Sequence, residues 1–333
     1  MFDTYRYSES FRSLYRLGAP LVVGEFAHMA IGVTDSIMLG WYSIEALAAT
    51  VLGHTIFFVI FILGAGFATA VMPLVASAIA QSHSLKARRV TRMGLWLSAA
   101  YTIAVLPAFW WSEALLLAIG QSPELSILAS QYLMIVGFAV FPALALNVVK
   151  SYLSAQELMR FVLAITIVGF FINIPLNYVL IFGKLGLPEL GVPGSAIASF
   201  FVNSFMALSV CIYAVKKLPE QALFARIWRP DWSAMRRVLR LGVPIGITSL
   251  AEAGLFSAST IMMGWLGTIP LAAHGIALSI TSLTFVIHVG LSGAATIQTG
   301  QAFGASNSLS LKRSALSASL ASLIIVILTV ILF

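Results

Sequence analysis

Charge is scarce in this chain. Only 9% of its 333 residues are Asp, Glu, Lys or Arg, against 60% hydrophobic. A soluble domain carries roughly 25% charged residues. A chain so poor in them cannot cover a water-facing surface, and lipid is its expected solvent. Cysteine is scarcer still. The single Cys211 lies in an apolar run, which excludes an intramolecular disulfide and says nothing about redox compartment. Catalytic motifs are missing as well: no aspartate-rich diphosphate motif, no G-x-x-x-x-G-K-[ST] nucleotide loop and no serine in G-x-S-x-G. An enzyme is not expected, and any pumping must draw on an ion gradient. His54, His274 and His288 are scattered without metal-ligand spacing, so no metal or cofactor is expected. Nor is a cleavable leader. The first ten residues are polar, and the apolar run after them is too long for a signal peptide and lacks a cleavage site.

What is present is a series of apolar runs near twenty residues, each long enough to cross about 30 Å of hydrocarbon. Nine spans are predicted, at about 17–41, 46–80, 93–112, 127–149, 161–183, 193–215, 241–266, 270–302 and 314–333. The runs are continuous rather than alternating, which favours helices over a barrel. The predicted class is an all-α integral membrane protein.

The formal charge of +7 is topological information. Arg6, Arg12 and Arg16 precede span one. Lys86, Arg88, Arg89 and Arg92 fall between spans two and three, and Lys150 and Arg160 between four and five. A run from Lys216 to Arg240 separates six and seven, and Lys312 and Arg313 separate eight and nine. These connections all lie on one side. Of 19 basic residues only Lys184 falls on the other. Positive charge collects on the cytoplasmic side, so the N-terminus is expected in the cytoplasm of a multi-pass protein of the cell's inner or plasma membrane. Nucleic acid is not an expected partner. Trp41, Trp110, Trp111 and Trp265 end spans on the outer side, and Trp228 and Trp232 lie in the inner connection, as suits a ring that is apolar but carries an N–H.

The chain also repeats itself. A shift of 224 residues carries RLGAP (16–20) onto RLGVP (240–244), IMLGW (37–41) onto IMMGW (261–265) and Arg89 onto Arg313, with 24 of 94 ungapped pairs identical from Arg16 to Phe109. Six spans separate the copies. An even number preserves orientation, so the repeat is parallel, the plan of secondary transporters with a substrate path between halves. The expected organisation is an N-terminal six-helix bundle (1–215), a cytoplasmic linker (216–240) and an incomplete C-terminal bundle (241–333) holding helices seven to nine. The second copy stops at the match to Phe109, so a whole protein of roughly 448 residues is expected. The linker's polar residues suit a short amphipathic helix on the membrane, and its basic residues suit anionic headgroups; a plain tether is equally consistent. Pro20 and Pro244 are repeat twins, either a shared hinge or prolines merely tolerated in lipid.

Buried charge carries the functional signal. Glu25, Asp35 and Glu252 fall inside spans, where a central acid costs roughly 2.5–3.5 kcal/mol to insert. Glu25, His28 and Asp35 are spaced i, i+3, i+10, which places them on one helical face. That face should line a cavity. Plainer readings stand beside it: Glu25 reaching water at the inner end, Asp35 capping a helix end, His28 as a satisfied core histidine. Glu252 has no basic partner within reach in its own helix. His28 and Glu252 are twins under the shift and could face a central cleft from opposite walls. Asn173 and Asn177 are i, i+4 in span five, fit to coordinate a cation, to bind Asp35, or to act as interhelical glue. Ser195, opening span six, could join them.

These residues carry a family resemblance. APLVVGEFAHMAIGVTDSIMLGW (19–41), INIPLNYVLIFGKLGLPELGVPGSAIAS (172–199), LGVPIGITSLAE (241–252), LAAHGIALSITSL (271–283) and ATIQTGQAFGA (295–305) resemble the multidrug and toxic compound extrusion (MATE) family, NorM-type branch. The resemblance covers nearly the whole chain. It implies two parallel-repeat helical bundles around a V-shaped cleft, and export of organic, often cationic, small molecules coupled to entry of protons or sodium ions. Asp35 matches the family's first-helix acid, Asn173 and Asn177 the fifth-helix polar positions beside it, and Glu252 the seventh-helix glutamate of that branch. These four are the expected cation- or proton-coupling residues. Glu25 and His28, where many members carry glutamine, and Ser195 are the expected substrate-cleft residues. The branch's tenth-helix acid has no counterpart in 1–333. Membrane lipid is the other expected partner, and a monomer the expected state. Alternatives are a lipid-linked oligosaccharide flippase of the same superfamily and a non-transporting fragment.

Overall fold

The computed structural model describes the backbone of residues 2–265 and 268–332; the side chains of 2–9, of several residues from 257 to 280, Trp265 among them, and of Leu332 lie outside the described residues. Among the described residues every regular element is a helix. In order come α1 (Phe2–Tyr42), α2 (Ile44–Ala80), α3 (Ser84–Trp110), the short α4 (Ser112–Ala118), α5 (Pro123–Val136), α6 (Val140–Ala155), α7 (Met159–Phe182), α8 (Val192–Lys217), α9 (Trp232–Trp265), α10 (Thr268–Gly304) and α11 (Ser308–Leu332). Among the described residues eight segments are long and apolar enough to cross a membrane. The predicted eighth span falls within α10.

Local chemistry sets the helix ends. Ser43 opens α2 by accepting the N–H of Ala46 at 2.9 Å, and Ser122 with Pro123 opens α5 in the same manner. Gly183, at φ +64°, closes α7 in the left-handed conformation that glycine adopts at no steric cost. The chain then folds straight back. Leu190 and Gly191 donate to the carbonyls of Leu180 and Ile181. A side chain at Gly194 would lie 2.5 Å from the Leu180 carbonyl oxygen. This tight return fixes the register of α8 against α7.

The predicted fourth span is two helices. A 3-10 turn, Gly137–Ala139, joins α5 to α6. Pro142 lacks the N–H that would bond the carbonyl of Phe138 and so loosens the turn. Gly137 lets the Phe109 ring approach, since a Cβ there would meet it at 2.9 Å. The linker forms no separate surface helix between α8 and α9, which suits the plain tether; its residues 232–240 are already the first turns of α9. After a 3-10 turn at Pro219–Gln221, the chain runs through turns at 223–228 and a bend at 229, with Ala222 at φ +42° and Arg226 at φ +55°.

In lipid, helices gain little by hiding apolar surface from one another, and close packing holds them. The contacts between the first-half helices and α9–α10 follow that rule. Leu14, Leu17 and Leu21 of α1 pack with Ala294 and Ile297 of α10. At Gly66 of α2 a Cβ would lie 2.4 Å from the Gly242 oxygen and 2.6 Å from the Gly246 nitrogen of α9. At Gly290 of α10 a Cβ would lie 2.4 Å from Val22 Cγ2 and 2.7 Å from its Cα on α1. The 224-residue shift carries Gly66 onto Gly290 and Val22 onto Gly246. The two crossings are therefore the same contact made twice.

Candidate functional site

Asp35 lies on α1, seven residues before its end at Tyr42. Three neutral donors from two other helices converge on its carboxylate. Oδ1 accepts the amide N–H of Asn173 at 2.9 Å and of Asn177 at 2.6 Å. Oδ2 accepts the hydroxyl of Ser199 at 3.0 Å. Asn173 and Asn177 project from α7 one turn apart and are fully buried. Ser199 projects from α8, whose register the 183–191 return has set. The neighbours of Asp35 do not compete for it, because Thr34 and Ser36 bond their hydroxyls to the carbonyls one turn back on α1.

The two asparagines, and Ser195 one turn before Ser199 on α8, carry unused oxygens. Oδ1 of Asn173, Oδ1 of Asn177 and Oγ of Ser195 are buried with no hydrogen-bond partner. Buried polar atoms are nearly always paired, so three such oxygens on the helices that hold one carboxylate make an oxygen-rich setting. Hard cations take oxygen ligands. Among the described residues no group of three or more His, Cys, Asp or Glu side chains has metal-binding geometry.

The structure brings Asp35, Asn173 and Asn177 together as the spacing allowed. It corrects the reading of Ser195 as a cleft residue, for Ser195 is fully buried. Ser199, absent from the expected set, makes the bond. A serine one turn after Ser195 on the same face was the available signal.

Lys150 is a second correction. Expected in a connection, it lies within α6, and its ammonium contacts Glu25 Oε1 of α1 at 2.5 Å. Glu25 is thus half of an ion pair rather than a free acid on a cavity wall. His28, one turn on, is exposed. Glu252 of α9 is also exposed, and no hydrogen bond or ion pair ties it to another described residue. The twins His28 and Glu252 do not touch, and α1 and α9 share no extended packing. Under the same shift the counterpart of Asp35 is Ser259, so the two halves place their acids at different depths.

A multi-pass α-helical membrane protein, made of a unit used twice in parallel and carrying one carboxylate held by neutral donors inside its first half, is the class these features define. The chain belongs to the MatE family, whose profile matches residues 20–179 and 244–333. It is 42% identical over 310 residues, 92% of its length, to the "Probable multidrug resistance protein NorM" of Rhizobium meliloti. It is 43% identical over 296 residues, 88% of its length, to the protein of the same name from Agrobacterium fabrum. The chain spans 66% and 64% of the lengths of these two relatives. A solved structure of a multidrug resistance MATE family transporter in an outward-facing conformation is similar at a TM-score of 0.83 and 25% identity, over 97% of this chain and 71% of that one.

Proposed function

We propose that the protein exports organic, often cationic, small molecules from the cell in exchange for protons or sodium ions, with Asp35 as the coupling carboxylate. One observation carries this reading: a carboxylate inside a membrane helix bundle whose partners are all uncharged donors. With no cation built in beside it, Asp35 keeps a negative charge that a proton, a sodium ion or a cationic drug can claim in turn. The names of the NorM relatives support export, and the one-sided basic residues support a cytoplasmic N-terminus.

The atoms suit an exchange. A proton arriving on Oδ2 makes that oxygen a donor, and the Ser199 hydroxyl can rotate from donor to acceptor to receive it. A sodium ion would instead call on the carboxylate, the free Oδ1 atoms of the two asparagines and Ser195 Oγ. Either event removes the charge that attracts an organic cation. Linkage makes the effect reciprocal, so bound drug weakens the hold on the ion by the same factor. Glu252, exposed and without a partner among the described residues, is the proposed second charge, in the half that α9 opens.

Lys150 is what favours the second reading, a lipid-linked oligosaccharide flippase, since an anionic cargo needs cations along its path. Glu25 already neutralises it, which leaves antiport ahead. The test is Asp35→Asn in transport-competent protein carrying this sequence. Efflux of a fluorescent organic cation driven by a proton or sodium gradient should fall at least tenfold, roughly the 1.4 kcal/mol of a single charge-assisted contact, at equal membrane abundance. Unchanged efflux refutes the assignment. Glu252→Gln should shift the pH or sodium dependence of the same signal.

A further inference from the structure

The turns that follow α8 are tied to α3 by side chains. Arg92 donates to the carbonyls of Ala225 and, at 3.0 Å, Arg226. Arg88 donates to the Gln221 carbonyl at 3.5 Å, and Trp96 Nε1 to that of Ile227 at 2.8 Å. Between α3 and these turns lies a cavity of about 380 Å³ lined by Arg88, Arg89, Arg92, Arg226, Arg229 and Asp231. Five guanidinium groups thus face one carboxylate. That carboxylate is already engaged: its Oδ1 accepts from Ser233 at 2.7 Å and Ala234 at 3.0 Å, and its Oδ2 faces Arg89 at 3.5 Å.

The arginines keep donors to spare. Arg92 is 5% exposed, and the Nε–H groups of both Arg88 and Arg92 are buried without a partner. A guanidinium presents its N–H groups as a planar fork that matches the oxygens of a phosphate. Trp232 also lines the cavity, and Trp228 lies in the same turns. Trp228 and Trp232 are 70% and 72% exposed at the basic end of the helices, and exposed tryptophan belongs at headgroup depth. Inorganic phosphate would leave those rings without a use, whereas a lipid engages both the phosphate site and the rings.

We propose that this cavity is a binding site for the phosphate headgroup of an anionic glycerophospholipid, clamped between α3 and the turns that lead into α9. The lipid would supply the acceptors that Arg88 and Arg92 lack and offset the repulsion among the five cations. It would also fasten the linker to the first-half bundle.

The test uses the chain reconstituted in nanodiscs of phosphatidylcholine with a minority of phosphatidylglycerol, then released into mild detergent for native mass spectrometry. Arg226→Gln with Arg229→Gln is the informative variant. Both side chains are exposed and make no hydrogen bond that holds the turns, so the fold survives. Each arginine lost from the cavity removes a charge-assisted contact to the phosphate, and the double change should cut retained phosphatidylglycerol by roughly thirtyfold or more. Lys216→Gln with Lys217→Gln removes equal charge from the same end outside the cavity; in detergent no anionic surface is left for those lysines to act on, and retention should stay within about twofold. Wild-type retention by the arginine variant overturns the site, and so does an equal loss in the lysine variant. Displacement of the lipid by excess inorganic phosphate overturns the lipid assignment; resistance to it supports the lipid.

Discussion

Lys150→Met should damage the fold more than Glu25→Gln, and the double variant should damage it least. The pair is only partly solvated, with side chains 21% and 26% exposed. Breaking a buried pair from one side typically costs 3–5 kcal/mol, while replacing both partners together is often neutral. Partial exposure places this pair at about the lower figure. The asymmetry comes from where the survivors can go. Lys150 is five residues from the end of α6, about 7.5 Å of helix rise, and its stem can carry the ammonium to the interface. Left alone, it should cost only about 1 kcal/mol. Glu25 is nine residues beyond Arg16 on α1, about 13 Å, and its short side chain cannot cover that distance. Left alone, it should cost about 3 kcal/mol. At about 2 °C per kcal/mol for a chain of this size, the losses in midpoint are roughly 6 °C for Lys150→Met, 2 °C for Glu25→Gln and under 2 °C for the double variant. Cys211, the single cysteine and partly buried in α8, makes a thiol-reactive dye a direct reporter of unfolding in detergent. A double variant as unstable as Lys150→Met would refute the pairing, and a larger loss for Glu25→Gln would refute the snorkelling reasoning.

Ser199→Ala leaves Asp35 with two amide donors and no hydroxyl able to reverse direction. Losing a bond to a charged group is worth about 1.5–3 kcal/mol, so the pH or sodium midpoint of drug efflux should move roughly tenfold, while Ser199→Thr restores it. Gly66→Ala forces a methyl onto the α9 backbone, which cannot swing aside as a side chain would. A midpoint loss equivalent to about 3 kcal/mol is expected, whereas Gly24→Ala, with nothing within 4 Å of its Cβ, should be neutral or slightly stabilising. Asp231 caps α9: the N–H of Ala234 and the hydroxyl of Ser233, then Arg89, hold its carboxyl below the usual carboxylate range. A depressed value gives stability that is complete above the unfolded carboxylate range and is lost as pH falls through the folded one. Asp231→Ala should therefore cost about 1 kcal/mol near neutral pH, and the gap in midpoint to wild type should close in acid; a gap that widens there refutes the cap.

The membrane class, the repeat and the Asp35–Asn173–Asn177 cluster were legible because each breaks a strong rule. An acid in an apolar run is costly, and two amides one turn apart must share a face. The Lys150–Glu25 pair was not legible, because a lysine near a helix end looks like ordinary topological charge. Ser199 was hidden for another reason. In a helix a hydroxyl usually bonds the carbonyl one turn back, as Ser98, Thr102 and Thr166 do, and the spacing that puts Ser199 on the face of Ser195 does not say which of the two turns outward. The linker turns escaped because Ala222 and Arg226 take a left-handed backbone without the glycine that signals one; side chains from α3 tie down the carbonyls around Arg226 instead.

The two glycine crossings act on the molecule as a pair of pins. A rigid body held at two points retains one rotation, about the line that joins them. Gly66 against Gly242 and Gly246 is one pin, Gly290 against Val22 the other, and the repeat-twin prolines Pro20 and Pro244 sit beside them. Under the proposed exchange, the swing of one bundle against the other is expected to be a single-axis tilt about that line. Asp35 lies thirteen residues along α1 from Val22, about 20 Å of helix, so in such a tilt it would travel on the long arm of the lever while the packed leucines of α1 stay near the fulcrum.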